Sequence, residues 1–193
     1  MLGLLFAAAL TAAGGDGATA AAAREDRAWN LSVGTGAGGY VEFVDAFAGS
    51  GPVDHDASRR RDRLQLNLRA DRELGRWLKV GLAYVYDRWT DAYFTGGAPV
   101  GDVDNRVHVL MLDATVRWVR TEGFELYSAL AAGAGRWAQE GTGTAASRPD
   151  ASAGPAFQLR YVGVAFGGEH LRLFADLGIG FEGLVVGGLV LRL

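Results

Sequence analysis

The chain has 193 residues, of which 19 are basic and 22 acidic, and its formal net charge at pH 7 is −3. This near balance argues against a nucleic-acid partner, which would require a basic face. The sequence contains no cysteine, so disulfides, thiolate metal sites and a cysteine-linked lipid anchor are excluded. The length predicts one domain.

The first residues predict an export signal. An apolar run over residues 1–10 leads into small residues that end at Ala23, before the charged Arg24. We therefore expect a signal peptide over residues 1–23 and a single mature domain over 24–193. No Lys or Arg precedes the apolar run, which leaves an upstream start codon, an atypical leader or an uncleaved N-terminal helix as alternatives. No later stretch approaches the roughly 18 consecutive apolar residues of a spanning helix.

From Trp29 onward, eight segments alternate apolar and polar residues, as strands do when successive side chains point to opposite faces. The alternation is clearest from Arg63 to Leu74, where LQLNLRAD occupies positions 64–71. Several segments reach the ~9–11 residues that a tilted strand needs to cross a membrane. The other seven segments lie around 29–35, 78–86, 110–118, 124–132, 157–161, 171–179 and 185–193.

The connections between these segments alternate in length. Short turns are predicted at 73–76, 121–123 and 167–170, and long loops at 37–62, 91–105 and 138–153. A fourth long loop is expected but not found, since only Glu182 and Gly183 separate the last two segments. Tight turns on one side and large loops on the other are typical of outer-membrane barrels.

Alternation alone does not say which face is wet, because soluble eight-stranded barrels alternate too. The polar face here carries Gly, Ala, Ser, Thr and isolated charges of both signs, which favours a narrow lumen. Aromatic residues on the apolar parity near the strand ends are predicted at the membrane interfaces. They are Tyr84, Tyr86, Trp118 and Phe124. Three tryptophans fall on the opposite parity and fit the lumen, a bulge or a position beyond the membrane edge: Trp77, Trp89 and Trp137.

The last segment, GGLVLRL from Gly187 to Leu193, is similar to the C-terminal insertion signal of small outer-membrane barrels, although that family usually ends on an aromatic residue. With this segment and the strand pattern, the chain resembles the OmpA and OmpX type of barrel. The resemblance implies an all-β, eight-stranded antiparallel up-and-down transmembrane barrel in the bacterial outer membrane. It also implies recognition by the barrel assembly machinery through the C-terminal strand. We further expect the protein to be a monomer.

An eight-stranded barrel is just wide enough for side chains to fill its interior. The charged residues on the polar parity are therefore predicted to form a lumenal ion-pair network, since unpaired charges in such a space are costly. A narrow conducting pathway through the same residues is the alternative. The predicted members are Arg69, Asp71, Lys79, Asp113, Arg117, Glu125, Arg160, Arg172 and Asp176.

Catalysis is not expected, although one group of residues partly matches a catalytic pattern. Palmitoyltransferase-like and deacylase-like barrels use a His with Ser and a carboxylate near the outer rim, and His55 precedes Ser58 in the first long loop. The palmitoyltransferase pattern also requires an Asp–Ser pair in the next loop, which here has aspartates and no serine. An outer-leaflet lipid A-modifying enzyme therefore remains only an alternative function.

Two loop clusters complete the candidates. A basic run is predicted to contact lipopolysaccharide phosphates, with a solvated charge run as the alternative. It comprises Arg59, Arg60, Arg61 and Arg63. Asp102, Asp104 and Asn105 have oxygen ligands that could hold a calcium ion, but they lack the spacing of any known calcium loop. Neither a metal nor a cofactor is expected. The predicted function is a structural anchor or a surface interaction, with a narrow transport barrel as the other alternative.

Overall fold

The computed structural model describes residues 28–38, 57–95, 97–142 and 150–193, with backbone only at 57–62, 95, 99 and 150. The predicted signal peptide, residues 1–23, lies outside the described residues and stays a prediction. His55 lies outside them as well. Among the described residues, no helix is long and apolar enough to cross a membrane.

The described residues form eight strands that follow one another around a closed barrel. Each strand pairs antiparallel with the next, and β8 returns to pair with β1. The predicted eight-stranded antiparallel up-and-down barrel is thereby confirmed. The strands are β1 (Trp29–Ala37), β2 (Ala57–Glu73), β3 (Leu78–Thr95), β4 (Ala98–Arg120), β5 (Phe124–Gly141), β6 (Asp150–Gly167), β7 (Leu171–Gly180) and β8 (Val185–Arg192).

The barrel has two distinct ends. At the turn end, connections 74–77, 121–123 and 168–170 join the strands closely. The other end, the loop end, carries connections 38–56, 96–97, 142–149 and 181–184. Because the strands differ in length at the loop end, β2 to β6 rise above β1, β7 and β8.

The distribution of side chains is the reverse of that in a soluble globular domain, because apolar side chains face outward and charged side chains face inward. On β4, Leu112 is 68% exposed, whereas its inward neighbour Asp113 is 3% exposed and Arg117 is fully buried. Large apolar side chains are exposed on all eight strands. A contiguous exposed apolar surface of this kind marks contact with another apolar phase.

Two of the register shifts between paired strands are β-bulges with outward-facing side chains near the turn end. The register shifts between Arg117 and Val119 on β4, and between Arg160 and Val162 on β6. The extra residues are Trp118 and Tyr161, each followed by a second outward side chain. Because a bulge puts two residues opposite one, inward parity resumes one position later than strict alternation predicts.

The prediction of a long loop over 91–105 is wrong. Strands β3 and β4 continue to Thr95 and Ala98, which pair across a tight connection in which Gly97 has φ +79°. The other two predicted loops are also shorter, since β2 begins at Ala57 and β5 and β6 extend to Gly141 and Asp150. These extensions are rich in Gly, Asp and other polar residues, so their composition indicates loops even though their backbones pair.

Candidate functional site

Charged side chains occupy a large part of the barrel interior. Eight of the nine predicted lumenal residues are buried, and Asp71 is partly buried. The buried eight are Arg69, Lys79, Asp113, Arg117, Glu125, Arg160, Arg172 and Asp176.

One group of ion pairs centres on Glu125 near the turn end. Its carboxylate oxygens accept hydrogen bonds from Lys79 Nζ at 2.7 Å and from Arg172 Nη1 at 2.7 Å. Arg172 also donates to the carbonyl oxygens of Gly168 and Glu122, each at 3.1 Å. The same arginine thus neutralises a buried carboxylate and closes two of the short turns.

A second buried carboxylate in this region is Glu73, which the sequence pattern assigned to a turn. β2 ends at Glu73, and its carboxylate lies 3.2 Å from Arg117, 3.1 Å from Arg120 and 3.6 Å from Arg192. Arg117 also donates to the carbonyl of Gly75. Strict alternation from Asp71 places Glu73 on the inward face. It is not among the predicted lumenal residues because the following Leu-Gly indicates a turn beginning at Glu73.

A second group of ion pairs lies nearer the loop end. Arg69 donates to the Glu182 carboxylate through Nε at 3.0 Å and Nη2 at 2.6 Å, and its Nη2 lies 2.8 Å from Asp176. The Tyr127 hydroxyl donates to Asp176 at 2.6 Å. Arg160 pairs with Asp113 and also lies 3.6 Å from Glu182. Glu182 therefore joins two buried arginines.

Glu182 belongs to connection 181–184, which folds into the barrel. Gln65 Nε2 donates to the carbonyls of Phe181 at 3.1 Å and Glu182 at 2.8 Å, and Asn67 Nδ2 donates to the latter at 3.1 Å. Gln158 donates to the Gly183 carbonyl at 3.2 Å and accepts from the Glu182 amide at 2.8 Å. We call residues 181–183 the inward turn. The absence of a fourth long loop was the only sequence signal for it.

The inward turn fits because the strand beside it carries glycine. A Cβ atom at Gly36 would lie 2.1 Å from the Glu182 carbonyl oxygen, so a larger residue there would collide with the turn. Gly183 has φ +120°, a conformation that L side chains rarely adopt. Both glycines are required by the path of the backbone.

An apolar cluster lies on the loop-end side of the ion pairs. Phe181 of the inward turn packs within it, and the ring centroids of Phe181 and Trp137 are 5.6 Å apart. Trp89 and Trp137 therefore lie inside the barrel, whereas Trp77 is exposed in connection 74–77. The buried members are Ala83, Val85, Trp89, Val107, Val109, Met111, Ala131, Ala156 and Phe181.

A small polar cavity remains between the ion pairs. Its volume is about 30 Å³, and its lining includes Ser32, Asp71, Lys79 and Thr115. At ~10–15 Å³ per water, this cavity has room for about two water molecules. The interior is thus packed with paired charges, apolar side chains and the inward turn.

The predicted interfacial aromatics all face outward. Trp118 and Phe124 are exposed at the turn end. Trp118 Nε1 donates to Ser128 Oγ at 3.0 Å. Tyr84 and Tyr86 lie toward the loop end, where the Tyr84 hydroxyl is 2.8 Å from His108 Nδ1.

Of the four arginines in the predicted basic run, the structure describes only the side chain of Arg63. The side chains of Arg59, Arg60 and Arg61 lie outside the described residues, and their contact with lipopolysaccharide stays a prediction. Arg63 Nη2 lies 2.9 Å from the inward-facing Asp87. This ion pair places the Arg63 side chain on the lumenal side of the wall.

The three residues considered for calcium do not converge on one point. Asp104 accepts hydrogen bonds from Thr90 Oγ1 at 2.6 Å and Arg88 at 3.3 Å, and these groups hold the pKa of Asp104 below its ordinary value. Asn105 instead donates to Asp91 at 3.0 Å. Within the described ranges, no group of three or more His, Cys, Asp or Glu side chains is arranged to hold a metal ion.

Comparison with known proteins gives a likeness to solved structures alone. No family model matches the chain, and no curated protein matches it. The crystal structure of Ail, the attachment invasion locus protein of Yersinia pestis, is similar over 86% of this chain and 95% of that chain, with 14% identity and a TM-score of 0.47. Ail in complex with the heparin analogue sucrose octasulfate matches over 86% of this chain and 96% of that chain, with 15% identity and a TM-score of 0.45. At these values the properties of Ail do not transfer to this chain.

Proposed function

We propose that this protein is a bacterial outer-membrane barrel with a filled lumen, which anchors its long loop-end strands at the cell surface for interaction with the surroundings. The observation that carries the proposal is the contrast on β4 between Leu112, which is 68% exposed, and Arg117, which is fully buried. Only an apolar solvent outside the barrel makes this arrangement favourable. Because the loop end lies at the cell surface in this proposal, the turn end faces the periplasm.

The length of the apolar belt supports a membrane span. On β4 the outward side chains are apolar from Leu110 to Trp118 and become polar at His108 and Arg106. This stretch matches the ~9–11 residues with which a tilted strand crosses the hydrocarbon layer. Closure of the barrel also satisfies the backbone hydrogen bonds that lipid cannot satisfy.

The packing of the lumen supports an anchor in preference to a transporter. The inward turn and the Phe181–Trp137 contact occupy the interior on one side of the ion pairs. The cavity beside the ion pairs measures about 30 Å³, which is water-sized. A solute crossing the barrel would have to displace the inward turn and its hydrogen bonds.

Conductance tests this proposal. In planar bilayers, the wild-type barrel is expected to produce no stable unit steps, because the inward turn fills the lumen. Insertion is verified separately by the heat-dependent gel migration of the same protein recovered from vesicles. This control ensures that failed insertion is not mistaken for a closed lumen. Reproducible conductance steps from verified barrels would contradict the filled lumen and favour the transport alternative.

The proposal includes a monomer that assembles through its C-terminal strand. β8 pairs with β1 of the same chain from Asn30–Arg192 to Ala37–Val185, so these two strands complete the wall without a second subunit. Because an unclosed barrel would expose strand edges to lipid, recognition of β8 by the barrel assembly machinery would promote closure of the wall.

A further inference from the structure

The outer surface of the barrel carries a basic patch at the loop end, immediately above the apolar belt. Strand register places Tyr86, His108 and Arg136 in one row across β3, β4 and β5, with their side chains facing away from the lumen. The next outward-facing row toward the loop end contains Arg88 and Arg106, which are direct cross-strand partners. We call Arg88, Arg106, His108 and Arg136 the rim patch.

The arginines of the rim patch have weak internal counter-ions. Arg88 lies 3.3 Å from Asp104 and Arg106 lies 3.2 Å from Glu140, in pairs whose side chains are 33–59% exposed. Exposed pairs of this kind contribute little. Within the described part of the chain, no carboxylate pairs with Arg136. Since like charges directly opposite each other on a sheet repel, an external anion between these side chains would stabilise the patch.

The position of the patch identifies the anion as part of a lipid. The row below the patch contains Tyr84 and Leu110, which belong to the apolar belt, and the row above contains Asp104 and Glu140. A long soluble polyanion extending outward would meet these carboxylates. A lipid phosphate would remain beside the arginines while its acyl chains cover the belt below.

We propose that the rim patch binds the phosphate groups of an outer-leaflet glycolipid. Arginine suits this ligand because its planar guanidinium matches phosphate oxygens with two parallel hydrogen bonds. The hydrogen bond between Tyr84 and His108 holds the imidazole at the border between the belt and the arginines. This inference rests on the proposed outer-membrane location and uses residues different from the basic run at Arg59–Arg63.

Binding of lipid A to the purified barrel in maltoside micelles tests the inference. Native mass spectrometry would compare bisphosphorylated lipid A with the same lipid after removal of its phosphates. The test variant is R106Q/R136Q. The matched control is R72Q/R76Q, which removes two arginines near the turn end, where they lie over the rings of Trp29 and Trp77.

We expect R106Q/R136Q to bind bisphosphorylated lipid A roughly thirtyfold more weakly than wild type, because each arginine is expected to raise the affinity about fivefold. R72Q/R76Q should bind like wild type, and removal of the phosphates should weaken wild-type binding by a similar factor. Equal affinity of R106Q/R136Q and wild type, or an equal loss in R72Q/R76Q, would overturn the inference. So would binding that is indifferent to the phosphates.

This experiment separates failure of the inference from failure of the proposed function. A barrel that shows heat-dependent migration and folds only with lipid or detergent, but binds both forms of lipid A equally, would retain its membrane location and lose the rim-patch ligand. A chain that stays folded and soluble without detergent would lose both.

Discussion

Replacement of Glu182 by alanine is expected to lower the free energy of unfolding by about 3–5 kcal/mol, the usual effect of removing one partner from a buried ion pair. Glu182 is fully buried and pairs with Arg69 at 2.6 Å and with Arg160 at 3.6 Å. Without it, both arginines keep their charge in the lumen with fewer partners. Urea-dependent unfolding from lipid vesicles, followed by tryptophan fluorescence, measures the change.

The matched control for this variant is E140A. Glu140 pairs with Arg106 at 3.2 Å, but its side chain is 59% exposed, so its removal should cost no more than about 1 kcal/mol. If E182A and E140A unfold at the same urea concentration, the inward turn does not hold the lumen together. E182Q tests charge separately, since it preserves the size of the side chain.

Replacement of Leu112 by arginine is expected to destabilise the inserted barrel by about 2–4 kcal/mol, the cost of an arginine near the bilayer midplane. Leu112 lies inside the apolar span of β4 and is 68% exposed. In a water-soluble barrel the same replacement on an exposed position would be nearly neutral. Unfolding from vesicles of the wild type and the variant distinguishes these cases.

The control for this replacement is L74R. Leu74 is also exposed, at 58%, but it lies in connection 74–77 beyond the end of β2. Near an interface the expected cost is about 0–1 kcal/mol. Equal stability of L112R and wild type would mean that β4 does not face lipid.

The strands were predictable wherever one face meets an apolar phase. The alternation LQLNLRAD at 64–71 is a direct consequence of a leucine face and a polar face, and β2 keeps this alternation over the whole motif. At the loop end, neither face of β3 and β4 has to be apolar. The segment from Asp91 to Asn105 therefore has the composition of a loop, although cross-strand pairing continues to Thr95 and Ala98.

The buried charges within strands were predictable by parity, but their partners were not. Arg69 was assigned to the lumen from its position between Leu68 and Ala70. Its partner Glu182 lies 113 positions away in a connection between strands. The alternation of inward and outward side chains does not apply there, because the residue is not in a strand. Glu182 is brought inside by hydrogen bonds from Gln65, Asn67 and Gln158 to the backbone of the inward turn and by the space at Gly36.

The positions of the three inward-parity tryptophans depended on what surrounds them. Trp137 extends over Gly135 and Gly154, where added Cβ atoms would lie 3.1 and 3.4 Å from its ring. These glycines make room for the indole inside a narrow barrel. Trp77 has the same parity but sits beyond the end of β2, in a short connection. Parity without the strand boundary therefore could not separate the two.

The most direct test of the membrane barrel is folding of the urea-unfolded chain from residue 24 to residue 193 after dilution with and without preformed lipid vesicles. Electrophoresis of unboiled and boiled samples in SDS then reports barrel closure. The inside-out arrangement predicts a heat-sensitive, faster-migrating band that forms only with vesicles and resists added protease across its strands. A folded, soluble chain that forms without vesicles and shows no heat-dependent shift would contradict it.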